Sequence, residues 1–120
     1  MGIRLVFDYN LRGFAKWLVR VRRLHGLAEI LIPPTAFTYD DMLLLSYTRR
    51  IGAKLVTSDQ WIIRGYPEYR CDVIILRLID EKGKSKRYEE LATELASAIR
   101  DIRLCSEGSR RGDEKATWHA

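Results

Sequence analysis

The 120-residue chain is 47% hydrophobic and 31% charged, which bounds it as one folded domain with a core and excludes a disordered protein. No apolar run approaches the roughly 18 residues of a membrane span, because Arg77 interrupts the most hydrophobic segment, so no membrane partner is expected. A net charge of +5 and a pI near 9.4 favour a polyanionic partner, nucleic acid first.

Ile3 to Phe7 is apolar except for Arg4, and its Ile, Val and Phe suit a first strand. With a strand so near the start, no signal peptide is expected and the cytoplasm is the default location. Asp8-Tyr9-Asn10 breaks the strand. From Leu11 the period turns helical, with Leu11, Phe14, Ala15, Leu18 and Val21 on one face. Another face carries Arg12, Lys16, Arg20 and Arg23, and no acid lies between Asp8 and Glu29. Like charges four apart destabilise a helix by roughly 0.2–0.5 kcal/mol per pair. The stripe is therefore either a solvated surface or a face that meets phosphates.

Between Leu24 and Leu27, Gly26 is expected to end this helix. Ala28 to Ile32 reads as a second strand, closed by Pro33-Pro34. Thr38 is expected to cap a second helix, with Asp41 as the acid three residues on. Met42, Leu43, Leu45, Ser46, Arg49 and Ile51 follow, and Gly52 ends it. Ala53 to Thr57 is a third strand, and Trp61-Ile62-Ile63 a short helical turn. Asp72 to Ile79 reads as a buried fourth strand, and Asp80 to Lys84 as a polar turn. Tyr88, Leu91, Ala92, Leu95, Ala98, Ile99 and Ile102 make an amphipathic last helix. The domain is expected to fill residues 1–104, with 105–120 as a flexible tail. Alternating strands and helices argue for right-handed crossovers and an α/β fold with a mainly parallel sheet.

Cys71 and Cys105 are too few and too irregularly spaced for a disulfide framework or a zinc site, so two reduced thiols are expected. Asn10 and Gln60 are the only side-chain amides, a scarcity that fits a thermophile.

Three acidic points fall at element boundaries: Asp8 after the first strand, Asp40-Asp41 at the second helix, and Asp59 after the third strand. In a parallel sheet Asp8 and Asp59 share the carboxyl edge, where ligands bind. Crowded carboxylates repel, and a hard divalent cation such as Mg²⁺ or Mn²⁺ makes them tolerable. Such an ion polarises a phosphoryl oxygen and activates water. Each acid also has a structural role open to it. Asp8 suits an Asx-turn or cap, Asp40 and Asp41 a helix start, and Ser58 or Asp59 a cap on the short turn.

Asp8-Tyr9-Asn10-Leu11 after a first strand, acids opening the second helix, and Leu55-Val56-Thr57-Ser58-Asp59 together resemble the PIN-like superfamily. The similarity is to its short single-domain prokaryotic branch, related to VapC-type toxins, and covers roughly residues 3 to 80. It implies a three-layer α/β/α sandwich with four or five strands and a metal-dependent ribonuclease site at the carboxyl edge. On that resemblance Asp8, Asp41 and Asp59 would be the catalytic and metal-binding acids, with Asp40 as the alternative to Asp41. Thr57 would orient Asp59 or its water, with Asn10 and Ser58 in support and Asp80 the candidate fourth acid. Arg12, Lys16 and Arg20 would guide RNA. An antitoxin protein and a homodimer are further expectations. The alternative function is a catalytically weak or inactive PIN-like module that binds RNA or a protein.

Overall fold

A computed structural model describes residues 2–33 and 40–110, with side chains to Cys105. Strand β1 is Ile3–Phe7, β2 Ala28–Leu31, β3 Lys54–Thr57 and β4 Val73–Ile75. Helix α1 is Arg12–Val21, α2 Asp41–Arg50, α3 Ile62–Gly65 and α4 Tyr88–Arg110. The four strands are all parallel, in the order β2-β1-β3-β4. The chain therefore leaves β1 through α1 to reach β2 on one side. It then returns through α2, passing β1, to β3 on the other.

The pleat sorts the strand residues into two cores. Leu5, Phe7, Val56 and Ile74 face Phe14, Leu18, Leu95 and Ile99 of α1 and α4. Val6, Leu55 and Val73 face Leu44, Leu45 and Ile62 of α2 and α3. Helices on both faces of the sheet make the three-layer α/β/α sandwich expected from the sequence. Fully burying each such Leu, Val or Phe contributes about 1.5–3 kcal/mol. No helix of the described residues is long and apolar enough to cross a membrane.

Several boundaries differ from expectation. Helix α1 stops at Val21, not at Gly26. Arg22 takes the left-handed conformation, with φ 56°, and its own N–H and that of Arg23 reach back to Val19 and Leu18 carbonyls. This is the hydrogen-bond pattern of a Schellman end with arginine where glycine is usual. Val21, past the last full turn, is consequently exposed. Helix α2 buries Leu44, Leu45 and Thr48 while Met42 and Leu43 face outward, and Thr48 meets its hydrogen-bonding need at the Leu44 carbonyl. An apolar run of four residues covers every side of a helix turn, so the pattern there does not fix the buried face. Thr38 lies outside the described residues, and the observed cap of α2 is Asp40.

Strand β4 ends at Ile75, four residues short of the expected run. Leu76 is buried and adds one more backbone bond to Thr57, and beyond it the Leu78 carbonyl accepts the Lys86 N–H at 2.8 Å while Ile79 bridges Ser85. Cys71 and Cys105 form a disulfide with Cα atoms 5.6 Å apart, which corrects the expectation of free thiols. Helix α4 runs on through Cys105 to Arg110, carrying that cysteine back to the 3-10 segment Pro67–Asp72 that precedes β4. The sequence separation of 34 gave no sign of this approach. Residues 111–120, the rest of the expected tail, lie outside the described residues.

Candidate active site at the carboxyl edge of the sheet

In the observed strand order the switch point lies between β1 and β3, where crossovers leave in opposite directions and open a crevice. Asp8 is the first residue beyond β1, and Asp59 the second beyond β3. The Asp8 N–H extends the ladder by donating to the Val56 carbonyl at 3.0 Å. Its Oδ1 accepts the Tyr9 N–H at 2.7 Å, and its Oδ2 accepts the Thr57 hydroxyl at 2.7 Å. Thr57 is fully buried, and the same Oγ1 accepts the Asp59 N–H at 3.1 Å. One hydroxyl thus ties the Asp8 carboxylate to the backbone that presents Asp59. Asp59 Oδ1 in turn accepts the Trp61 N–H at 2.9 Å, fixing the entry to α3.

The pair at the start of α2 divides its work. Asp40 is the helix cap, its Oδ1 accepting from Met42 and Leu43 N–H at 2.9 and 3.2 Å. Asp41 makes no hydrogen bond among the described residues. Its carboxyl is raised above the ordinary value of 3.8, by partial burial first and then by the charges of Asp59, Asp8 and Asp40. The α2 acid that senses both strand-end carboxylates is therefore Asp41. Burial first, and the neighbouring carboxylates after it, both disfavour the charged form of Asp41.

Three carboxylates from three elements are suitable donor chemistry for a hard divalent cation. Asp41 and Asp59 keep oxygens that accept nothing among the described residues, and each engaged Asp8 oxygen has a second lone pair. Among the described residues, no group of three His, Cys, Asp or Glu side chains is drawn together as a ready-made ion cage.

The chain matches no family model, no curated protein and no solved structure in comparisons with each.

Other sequence-derived candidates separate clearly. Asn10 is exposed and Ser58 half-buried, and neither makes a hydrogen bond among the described residues. Asp80 lies five residues beyond β4, with Oδ1 accepting the Lys82 and Lys84 N–H groups at 2.9 Å each. It staples a turn and does not end a strand. Asp72, just before β4, pairs with Arg49 and Lys54 at the opposite edge. Of the basic stripe, Arg23 is neutralised by Glu89. Lys16 and Arg20 are exposed and have no acidic partner among the described residues.

Arg12 lies with its guanidinium 5.1 Å from the Tyr9 ring centre, and its shielded Nε has no acceptor among the described residues. Tyr9 and Trp61 share a signal in the sequence, an aromatic close behind each acid with an arginine three residues later. A cavity of about 400 Å³ lined by Arg20, Arg22 and His25 lies at the far end of α1, at the amino edge and away from the acids.

Proposed function

We propose that the chain is a metal-dependent ribonuclease that hydrolyses RNA phosphodiester bonds, a PIN-like domain in the sense of its sequence resemblance. The observation that carries this is the Thr57 hydroxyl, which couples Asp8 to the Asp59 backbone at the switch point. The raised Asp41 carboxyl supports it, because Asp59 and Asp8 contribute to the shift. Asp8, Asp41 and Asp59 would hold Mg²⁺ or Mn²⁺, which supplies charge neutralisation and a polarised phosphoryl oxygen. Thr57 positions Asp8, and Lys16, Arg20 and Arg12 offer positive charge to the strand. A toxin role with an antitoxin partner belongs to the same proposal on resemblance alone. A cytoplasmic setting in a thermophile accommodates the disulfide, since intracellular disulfides are rare in mesophiles and frequent in hyperthermophiles.

A second reading, an inactive module that binds RNA through the α1 stripe, is favoured by two observations. The acids are not gathered as a ready-made cage among the described residues, and Asp80 is committed to a turn. A cleavage assay on a defined RNA with Mg²⁺, Mn²⁺ or EDTA separates the two. The nuclease cuts with metal, stops with EDTA, and loses at least about 100-fold in rate in Asp8→Asn and Asp59→Asn, the scale of a misplaced catalytic group. Cleavage that survives both substitutions and chelation would sink the mechanism. RNA binding without cleavage, with a salt slope reduced by about 1 in Lys16→Glu, is the result the second reading expects.

A further inference from the structure

Each strand-end acid is followed by an exposed aromatic ring, and each ring carries an arginine three residues on. Tyr9, directly after Asp8, is 44% exposed and has Arg12 at 5.1 Å from its ring centre. Trp61, two residues after Asp59, is 57% exposed and has Arg64 at 4.5 Å. The acids themselves hold both segments, since Asp8 Oδ1 accepts the Tyr9 N–H and Asp59 Oδ1 the Trp61 N–H. Neither ring belongs to the aromatic cluster of Phe7, Phe14, Trp17 and Tyr88, which runs from the core to the surface.

A single exposed ring on a protein surface needs no explanation. Two rings at matching places, one beside each wall of the crevice and both paired with guanidinium, form a repeated arrangement. An aromatic face and a guanidinium plane are the two surfaces on which unpaired bases stack. A base inside a duplex is already stacked on its neighbours and cannot reach such a ring. The adjoining helix adds positive charge complementary to a nucleic acid strand, with Lys16 exposed on it.

Building on the ribonuclease reading, we propose that Tyr9 and Trp61 are base-stacking platforms beside the acids, which hold the unpaired bases of the RNA strand. The nucleotides flanking the reacting phosphate stack on one ring each, while the phosphate itself sits between Asp8 and Asp59.

The test is fluorescence anisotropy in EDTA, where no cleavage confuses the readout. The probes are a fluorescein-labelled single-stranded oligoribonucleotide, the same strand with abasic central positions, and its duplex. Wild-type protein is expected to bind the intact strand about 5- to 100-fold tighter than the abasic strand or the duplex. Tyr9→Ala and Trp61→Ala each lose affinity for the intact strand within that range, and neither loses on the abasic strand. Tyr9→Phe and Trp61→Phe keep the ring and stay near wild type. Circular dichroism confirms that each variant is folded.

Equal binding of all three probes would overturn the platforms. So would alanine variants that bind like wild type while Lys16→Glu binds more weakly. Either result leaves an RNA-binding protein that holds its strand by charge. Failure of wild-type protein to bind any probe at low salt would also overturn the platforms, while the ribonuclease reading stands or falls separately on cleavage with Mg²⁺ or Mn²⁺.

Discussion

The Thr57 hydroxyl donates to Asp8 Oδ2 over 2.7 Å from a fully buried position, across 49 residues of sequence. Because the same oxygen accepts the Asp59 N–H, its removal strips one partner from each acid. Thr57→Val keeps the shape and deletes the hydroxyl, so it is expected to destabilise the fold by about 1–3 kcal/mol. RNA cleavage should fall with it, whereas Thr57→Ser, which keeps the oxygen, should retain most of both. Urea unfolding beside a cleavage time course measures the pair. Equal stability and rate in the valine variant would show that the hydroxyl holds nothing in place.

Asp41 makes a prediction about pH. Its carboxyl is raised above 3.8, so the folded state holds that proton more tightly than the unfolded chain does. The group therefore stabilises the fold less as pH climbs from the unfolded value through the raised folded one. Asp41→Asn should melt higher than wild type at neutral pH, and the advantage should shrink to nothing below the unfolded value. Thermal melts across the acid range check the sign. Added Mg²⁺ should raise the wild-type midpoint more than that of the variant, because a bound cation relieves the same repulsion.

Joining Cys71 to Cys105 closes a loop of 34 residues, which in the chain-entropy account adds about 3–4 kcal/mol. Cys105→Ser, or reduction of the native protein, should lower the urea midpoint accordingly. Mass spectrometry after alkylation in denaturant should show no labelled cysteine until a reductant is added. Full labelling without reductant would leave α4 held by packing and by its ion pairs to Arg23 and Lys86.

Arg22 holds a left-handed backbone conformation that costs a side-chain-bearing residue about 1 kcal/mol more than glycine. Its exposed guanidinium meets only the His25 ring at 3.2 Å among the contacts of the described residues. Arg22→Gly is expected to stabilise by roughly 0.5–1 kcal/mol, and Arg22→Ala, which keeps the Cβ, to give no such gain. Denaturant midpoints for the three proteins decide it.

What was legible in the sequence followed from periodicity and from strand ends. The apolar runs of β1 and β3 and the 3.6-residue spacing of Leu91, Ala92, Leu95 and Ile99 identify their elements without help. Asp8, Thr57 and Asp59 could be placed at one edge because parallel strands align their carboxyl ends. Asp40 and Asp41 are equivalent as letters, and cap geometry alone assigns Asp40 to the helix and leaves the Asp41 carboxylate uncommitted, within reach of the other acids' charges. Asp80 resembles a strand-end acid in sequence, yet β4 stops at Ile75 because the chain beyond Leu76 leaves β3 and bonds instead with Ser85 and Lys86 across the turn. The disulfide depends on where α4 ends in space, which no local pattern records.

The strand order carries one further consequence. β1 and β3 lie side by side, yet the chain must build β2 and α2 before β3 can slot in beside β1. An N-terminal fragment that stops short of β3 contains Asp8 and the whole of α1, but has no Thr57 to orient the carboxylate and no second wall. On the ribonuclease reading, a half-made chain emerging from the ribosome is harmless to the message it is being read from. On that reading the site comes into being only when β3 pairs with β1.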